Sequence, residues 1–321
     1  MKVKIGFLVL SVLAFSAIIW GCSNDSVSTS NLTDDDYIKS VITSGYDNSQ
    51  SNEDNLMSQT ISDLNDGYAI SDLGTTNPID SLKKWGRLIT NVDVNFTITN
   101  EGDSLKDVSV TRNITGTYHI IGYLNGTIDS ITKPYTEVLK NNLTFKRINN
   151  SSDVRKNWRL YKTSMLNGET VTPQQGTSQV QMNKIEVYVN GTLQYTYNGP
   201  DFTQNVFTTK LFGGTGIPQI DRGSLVELKV YTTSQNPDID YVAWHWMRNS
   251  FGFHREPFRL ISQTGSGPYQ RIYSKSFYLF GNHGIGAFNG YISANTHASI
   301  YDDNPALLAS HETGLIYRVT K

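Results

Sequence analysis

Several stretches of this chain carry side chains that can do chemistry, and their spacing limits which chemistry. Six histidines, His119, His245, His254, His283, His297 and His311, are scattered along it. Metal centres bring imidazoles to close, repeated spacing. Here the nearest pair, His245 and His254, could meet only across a hairpin, with no third ligand close in sequence. No metal and no cofactor is expected. In "YDDNPALLASHE", Asp302 and Asp303 are the candidates for a hard cation such as Ca²⁺, which prefers carboxylate oxygens. Asp-Asp-Asn-Pro is also a turn former, each residue stabilising the reversal locally, and the turn is the expected reading. "LFGGTGIP" lacks the Lys-Ser/Thr ending of a phosphate-cradling loop. No Gly-x-Ser-x-Gly elbow stands between a strand and a helix.

The aromatic residues offer binding surfaces. Within "YVAWHWMR" a strand points Trp244 and Trp246 to the same side. Core packing is the ordinary role of such indoles. The alternative is an exposed flat platform on which sugar rings stack. In the N-terminal half Trp85, Tyr118 and His119 are candidate liners of a small-molecule pocket.

The lone cysteine, Cys22, closes the most apolar run of the chain, which follows Lys2 and Lys4 and extends from Ile5 to Trp20. A charged start, a short apolar middle and a small residue before a break are the features of a secretory signal. The residues Ile19-Trp20-Gly21-Cys22 resemble the bacterial lipobox, with Trp20 larger than the residues usual at its position. The resemblance implies an acylated Cys22 at the mature N-terminus, a signal peptide over 1–21 and attachment to a membrane, with Ser23 pointing to the outer membrane. Two or more acyl chains anchor stably where one is marginal.

These residues need elements to position them. Residues 22–49 open with the polar run "SNDSVSTSNLTDDD" and read as a disordered tether. "DNLMSQTISDL" shows helical spacing, and "NPIDSLKKWGRL" reads as another short helix or a helix-to-strand transition. From Val92 the period becomes two, and four strands follow to about residue 164. Helices followed by an antiparallel meander predict an α+β domain over 50–166, with a curved sheet. Its order and bent second strand resemble the cystatin-like cone of nuclear transport factor two-like domains. Residues 167–179, rich in Gly, Thr, Pro and Gln, read as a linker. Short strands between turn clusters over 180–321 predict an all-β sandwich that resembles an immunoglobulin-like domain.

With 27 basic and 29 acidic residues the formal net charge is −2, so no field draws nucleic acid, and none is expected as a partner. The expected role is non-enzymatic binding or scaffolding in a bacterial cell envelope, with a surface polysaccharide or an envelope protein as partner. A carbohydrate-binding lipoprotein and an enzyme with its site in the N-terminal cone are the alternatives.

Overall fold

A computed structural model describes residues 32–44, 79–249 and 252–321. The expected signal peptide over 1–21, Cys22 and the helical reading of "DNLMSQTISDL" lie outside the described residues.

Long hairpins begin the fold. Strands β1 (Ile79–Glu101), β2 (Leu105–Leu124) and β3 (Thr127–Arg147) form an antiparallel meander. Asn125 and Gly126, both at positive φ, join β2 to β3, because two left-handed residues match the twist of the flanking strands. Asn190 and Gly191 do the same between β6 (Val180–Val189) and β7 (Thr192–Asn198). Along β2 buried and more exposed residues alternate, as a sheet covered on both faces to different extents requires.

The expected helix at "NPIDSLKKWGRL" is instead the start of β1. Register shifts between Ile79 and Ser81 and between Leu82 and Lys84 insert extra residues into the strand. Ile79, Leu82 and Trp85 therefore all turn inward at intervals of three, which imitates a helical period. Among the described residues the α-helices are α1 (Asp34–Ser44) and two single turns, α2 (Gly176–Gln179) and α3 (His297–Tyr301). The α+β reading of the N-terminal half is thereby corrected: the fold is mostly β.

The tether reading also changes. Within it, α1 is an ordered helix whose Ile38 and Val41 are buried in the main core. Thr33 caps it, its hydroxyl accepting from the Asp36 N–H at 3.1 Å and donating to the Asp36 carboxylate at 2.6 Å. Asp34 and Asp35 then reach Arg147 and Lys106, each at 2.6 Å.

No boundary separates two halves in the sheets. Strand β4 (Trp158–Ser164) pairs with β3 and with β8 (Val206–Thr208). The segment read as a linker contains β5 (Asn167–Thr172), which pairs with β3 on one side and β16 (Ser310–Thr320) on the other. The chain continues through β9 (Gln219–Asp221), β10 (Leu225–Ser234), β11 (Tyr241–Asn249), β12 (Gly252–Pro257), β13 (Arg259–Thr264), β14 (Tyr269–Tyr278) and β15 (Gly286–Asn295). One large sheet runs β1-β2-β3-β5-β16-β15-β11-β12, and a second runs β13-β14-β10-β6-β7. The expected β-rich character of 180–321 holds, with its strands divided between a shared sheet and a smaller one.

The second sheet packs on one face of the first. Val187, Leu228 and Val230 meet Trp244, Ile292 and Leu315 there, and α1 extends the same core. The other face of the large sheet encloses a second core of its own, built around Trp85, Tyr118, Leu139 and Tyr291. That is possible only because the sheet rolls up. Strands at its two ends would lie about 34 Å apart if it were flat. Yet Arg255 on β12 donates to the Trp85 carbonyl on β1 at 2.6 Å and lies 3.5 Å from the centre of the indole.

Candidate functional site

The interior of this roll carries charges where an apolar core would be ordinary. Arg87 comes from β1, Glu137 from β3 and Glu312 from β16, and each side chain is only about 1% exposed. The Arg87 guanidinium donates to Glu312 Oε1, to Glu137 Oε2 at 3.4 Å and to the Tyr291 hydroxyl at 3.1 Å. Tyr118, the cross-strand neighbour of Arg87, donates to Asn295 Oδ1 at 3.0 Å. Its ring meets that of Tyr135 edge-on at 5.1 Å. His245 stacks on Tyr291 with ring centres 3.9 Å apart, and its Nε2 pairs with Ser293 Oγ at 2.9 Å.

Gly168 on β5 makes room for this set. It stands between Glu312 and Leu139 in the ladder. A Cβ there would lie 2.2 Å from Leu139 Cδ2, 3.2 Å from Glu137 Oε1 and 3.6 Å from Glu312 Cβ. Only a residue without a side chain lets the two carboxylates share one guanidinium across the strand.

Burial, the largest single effect, would pull the Arg87 guanidinium down, but the Glu312 carboxylate and the Tyr291, Tyr118 and Glu137 side chains together outweigh it. Arg87 is therefore held charged, well above the usual arginine range. Burial pushes the phenols of Tyr118 and Tyr135 up, against the opposing pull of Arg87. These groups stay in one protonation state near neutrality. Among the described residues, the buried Tyr135 hydroxyl and Glu312 Oε2 have no hydrogen-bonding partner. Buried polar atoms rarely stay unmatched, so a carboxylate oxygen and a phenol here are places for a donor molecule or water. The arrangement offers a hydrogen-bond acceptor and a phenol beside a fixed positive charge.

The expected site residues are distributed unevenly. Trp85 and Tyr118 do come together, stacked with centres 5.5 Å apart, inside the roll. His119 points to the opposite face and meets Thr117 Oγ1 at 2.9 Å. Trp244 faces the second sheet and is 2% exposed, stacked on Phe277. It lines an apolar void of about 10 Å³, room for a single water. The sugar platform is corrected at that residue: the bulk of the indole fills the space between the sheets. The side chain of Trp246 lies outside the described residues, as does Cys22. Asp302 accepts from the Asn304 N–H at 2.7 Å, as a turn requires, and no group of three metal-ligating side chains occurs among the described residues.

The sequence reasoning missed Arg87 and Glu137, and weighed Glu312 only within the possible cation cluster of "YDDNPALLASHE". A signal was present for Glu137, which shares its strand parity with the buried Tyr135 and Leu139. It missed Lys133 on the same side of β3, fully buried, whose Nζ donates to the carbonyls of Ala298 at 2.7 Å and Ser299 at 3.1 Å. Burial lowers that amine to about 8, against the opposing effect of Asp302 and Asp303.

Comparisons with protein-family models, with curated proteins and with solved structures gave no match.

Proposed function

We propose that this chain is a lipid-anchored protein of a bacterial cell envelope, acylated at Cys22, with a binding role rather than a catalytic one. The lipobox-like Ile19-Trp20-Gly21-Cys22 behind a charged and apolar leader supports the anchor. The observation that carries the binding role is the unmatched pair of polar atoms, Glu312 Oε2 and the Tyr135 hydroxyl, inside the rolled sheet. Arg87, Tyr118 and Tyr135 are each held in one protonation state, which suits recognition by hydrogen bonds and not proton transfer. The partner is a molecule of the envelope, a surface polysaccharide or a protein, whose small polar group donates to Glu312.

Metabolic labelling with an alkyne fatty acid tests the anchor. The wild-type chain takes up label and the Cys22→Ala chain does not; label retained by Cys22→Ala overturns the reading. For the binding role, thermal shift is measured against a panel of envelope polysaccharide fragments and small polyols, for wild type and Glu312→Gln. A shift in wild type that Glu312→Gln reduces is expected. A shift equal in both removes Glu312 from recognition.

A further inference from the structure

Three large apolar side chains stand out into solvent on two loops: Leu211 is 60% exposed, Phe280 73% and Ile285 57%. Single exposed apolar residues are ordinary, but several gathered at one place mark a contact surface. A chain of short contacts places these at one end of the fold. A Cβ on Gly214, in the loop after Leu211, would lie 3.4 Å from Arg318 Nη1. Arg318 is the ladder partner of Ala287, and the next pair, Val319 and Gly286, adjoins Ile285. Leu279, next to Phe280, exchanges backbone hydrogen bonds with Gly223 and Ser224 in the turn after β9. β9 in turn pairs with Arg318, Val319 and Thr320.

The helix that follows the anchor segment begins at this same end. Lys146 lies 5.5 Å over the ring of Phe212, and its neighbour Arg147 pairs with Asp34 in the first turn of α1. Helix α1 is packed in the core, and eleven residue steps separate Cys22 from Thr33 at its start. Fully extended, that length spans at most about 40 Å. An acylated Cys22 therefore holds this end of the fold close to the bilayer, and a weak apolar contact gains from the high local concentration of lipid.

We propose that the end of the fold bearing Leu211, Phe280 and Ile285 rests on the lipid bilayer, with these side chains in the interface. The placement depends on the lipid anchor proposed above. The charges there are of both signs, with Lys146, Lys210, Arg222, Arg318 and Lys321 as well as Glu101, Asp103 and Asp221, and the proposed contact is that of the three apolar side chains. Glu312 lies six residues before Arg318 along β16, roughly 20 Å from the bilayer end, so the polar interior is carried outward from the membrane.

The test uses the full acylated chain in phosphatidylcholine vesicles containing doxyl-labelled lipid. Cys22 is the lone native cysteine, so with its sulfur acylated, Asn282→Cys or Thr127→Cys supplies one thiol for an environment-sensitive fluorophore. Position 282 lies between Phe280 and Ile285, and position 127 opens β3, beside the turn at the other end of β2. Quenching several-fold stronger at 282 than at 127 is expected, with Phe280→Ser/Ile285→Ser abolishing the difference. Equal quenching at both positions, in protein shown by fatty-acid labelling to be acylated, overturns the placement alone. Absence of fatty acid on Cys22 overturns the anchor and the placement with it.

Discussion

The ring of His311, on β16, accepts a hydrogen bond at Nδ1 from the backbone N–H of Met182, on β6, at 2.9 Å. This bond joins the large sheet to the small one. Because Nδ1 accepts, Nε2 carries the proton, and it faces Asn167 Oδ1 at 3.2 Å. Burial lowers the imidazole to about 4, with Glu169 opposing, so the ring stays neutral in the fold.

A neutral, buried histidine makes stability depend on acid. The unfolded chain takes up a proton near pH 6.5, the folded chain only near 4, so protons favour unfolding between those values. Stability present above pH 6.5 falls as pH drops towards 4 and then levels off, by about 3 kcal/mol in all. Urea titrations at pH 7.5, 5.5 and 4.5 compare wild type with His311→Gln, which keeps an acceptor and a donor. A pH dependence as steep in the variant as in wild type would falsify this assignment.

Gly168 is expected to tolerate no side chain. Gly168→Ala drives a methyl into Leu139 Cδ2, and Leu139 is fully buried with nowhere to move. The cost is about 1–3 kcal/mol, as for other overpacked cores. Adding Leu139→Ala relieves the clash, so the double variant loses less than the sum of the two single losses. Strict additivity in chemical denaturation would show that the strand shifts instead.

The Arg87 set behaves as a unit. Arg87→Met leaves Glu137 and Glu312 facing each other in a buried interior without their shared cation and costs roughly 3–5 kcal/mol. Arg87→Met combined with Glu137→Gln and Glu312→Gln recovers much of that loss, because no charge then lacks compensation. A triple variant less stable than Arg87→Met alone would mean that the hydrogen bonds, and not the charges, dominate.

Helix α1 is expected to contribute to the fold's stability. Ile38 is fully buried, so Ile38→Ala costs about 2–4 kcal/mol, whereas Leu32→Ala, at a residue 41% exposed, changes stability by less than about 0.5 kcal/mol. Thermal melts of the two variants separate a packed helix from a passive tether: equal melting temperatures would favour the tether.

Most strands were legible in the sequence, because alternation and turn residues are local. Val92 to Ile98, the Asn-Gly turns and the run from Leu225 to Ser234 all announce their elements. Partnership was not legible. Nothing near Asn167–Thr172 in sequence shows that β5 lies between β3 and β16, since those neighbours are set by closure of the whole sheet. Bulges near the start of β1 shifted the inward residues to a helical interval. The charged interior escaped notice because a lone Arg or Glu in a strand is ordinarily a surface residue. Arg87 and Glu312 are 225 residues apart, and only the rolled sheet brings them together.

The position of β5 also bears on how the protein can be divided. Cutting the chain within 167–179, where its composition invites a cut, would part β5 from β3 or from β16 and leave each fragment with a bare edge. Such edges pair with whatever strand they meet, so either fragment produced separately is prone to aggregate. The two fragments made together have complementary edges, and their reassembly depends on which of them keeps Gly168. Six residues of β5 thus decide that the long N-terminal meander and the C-terminal strands are made, folded and lost as one.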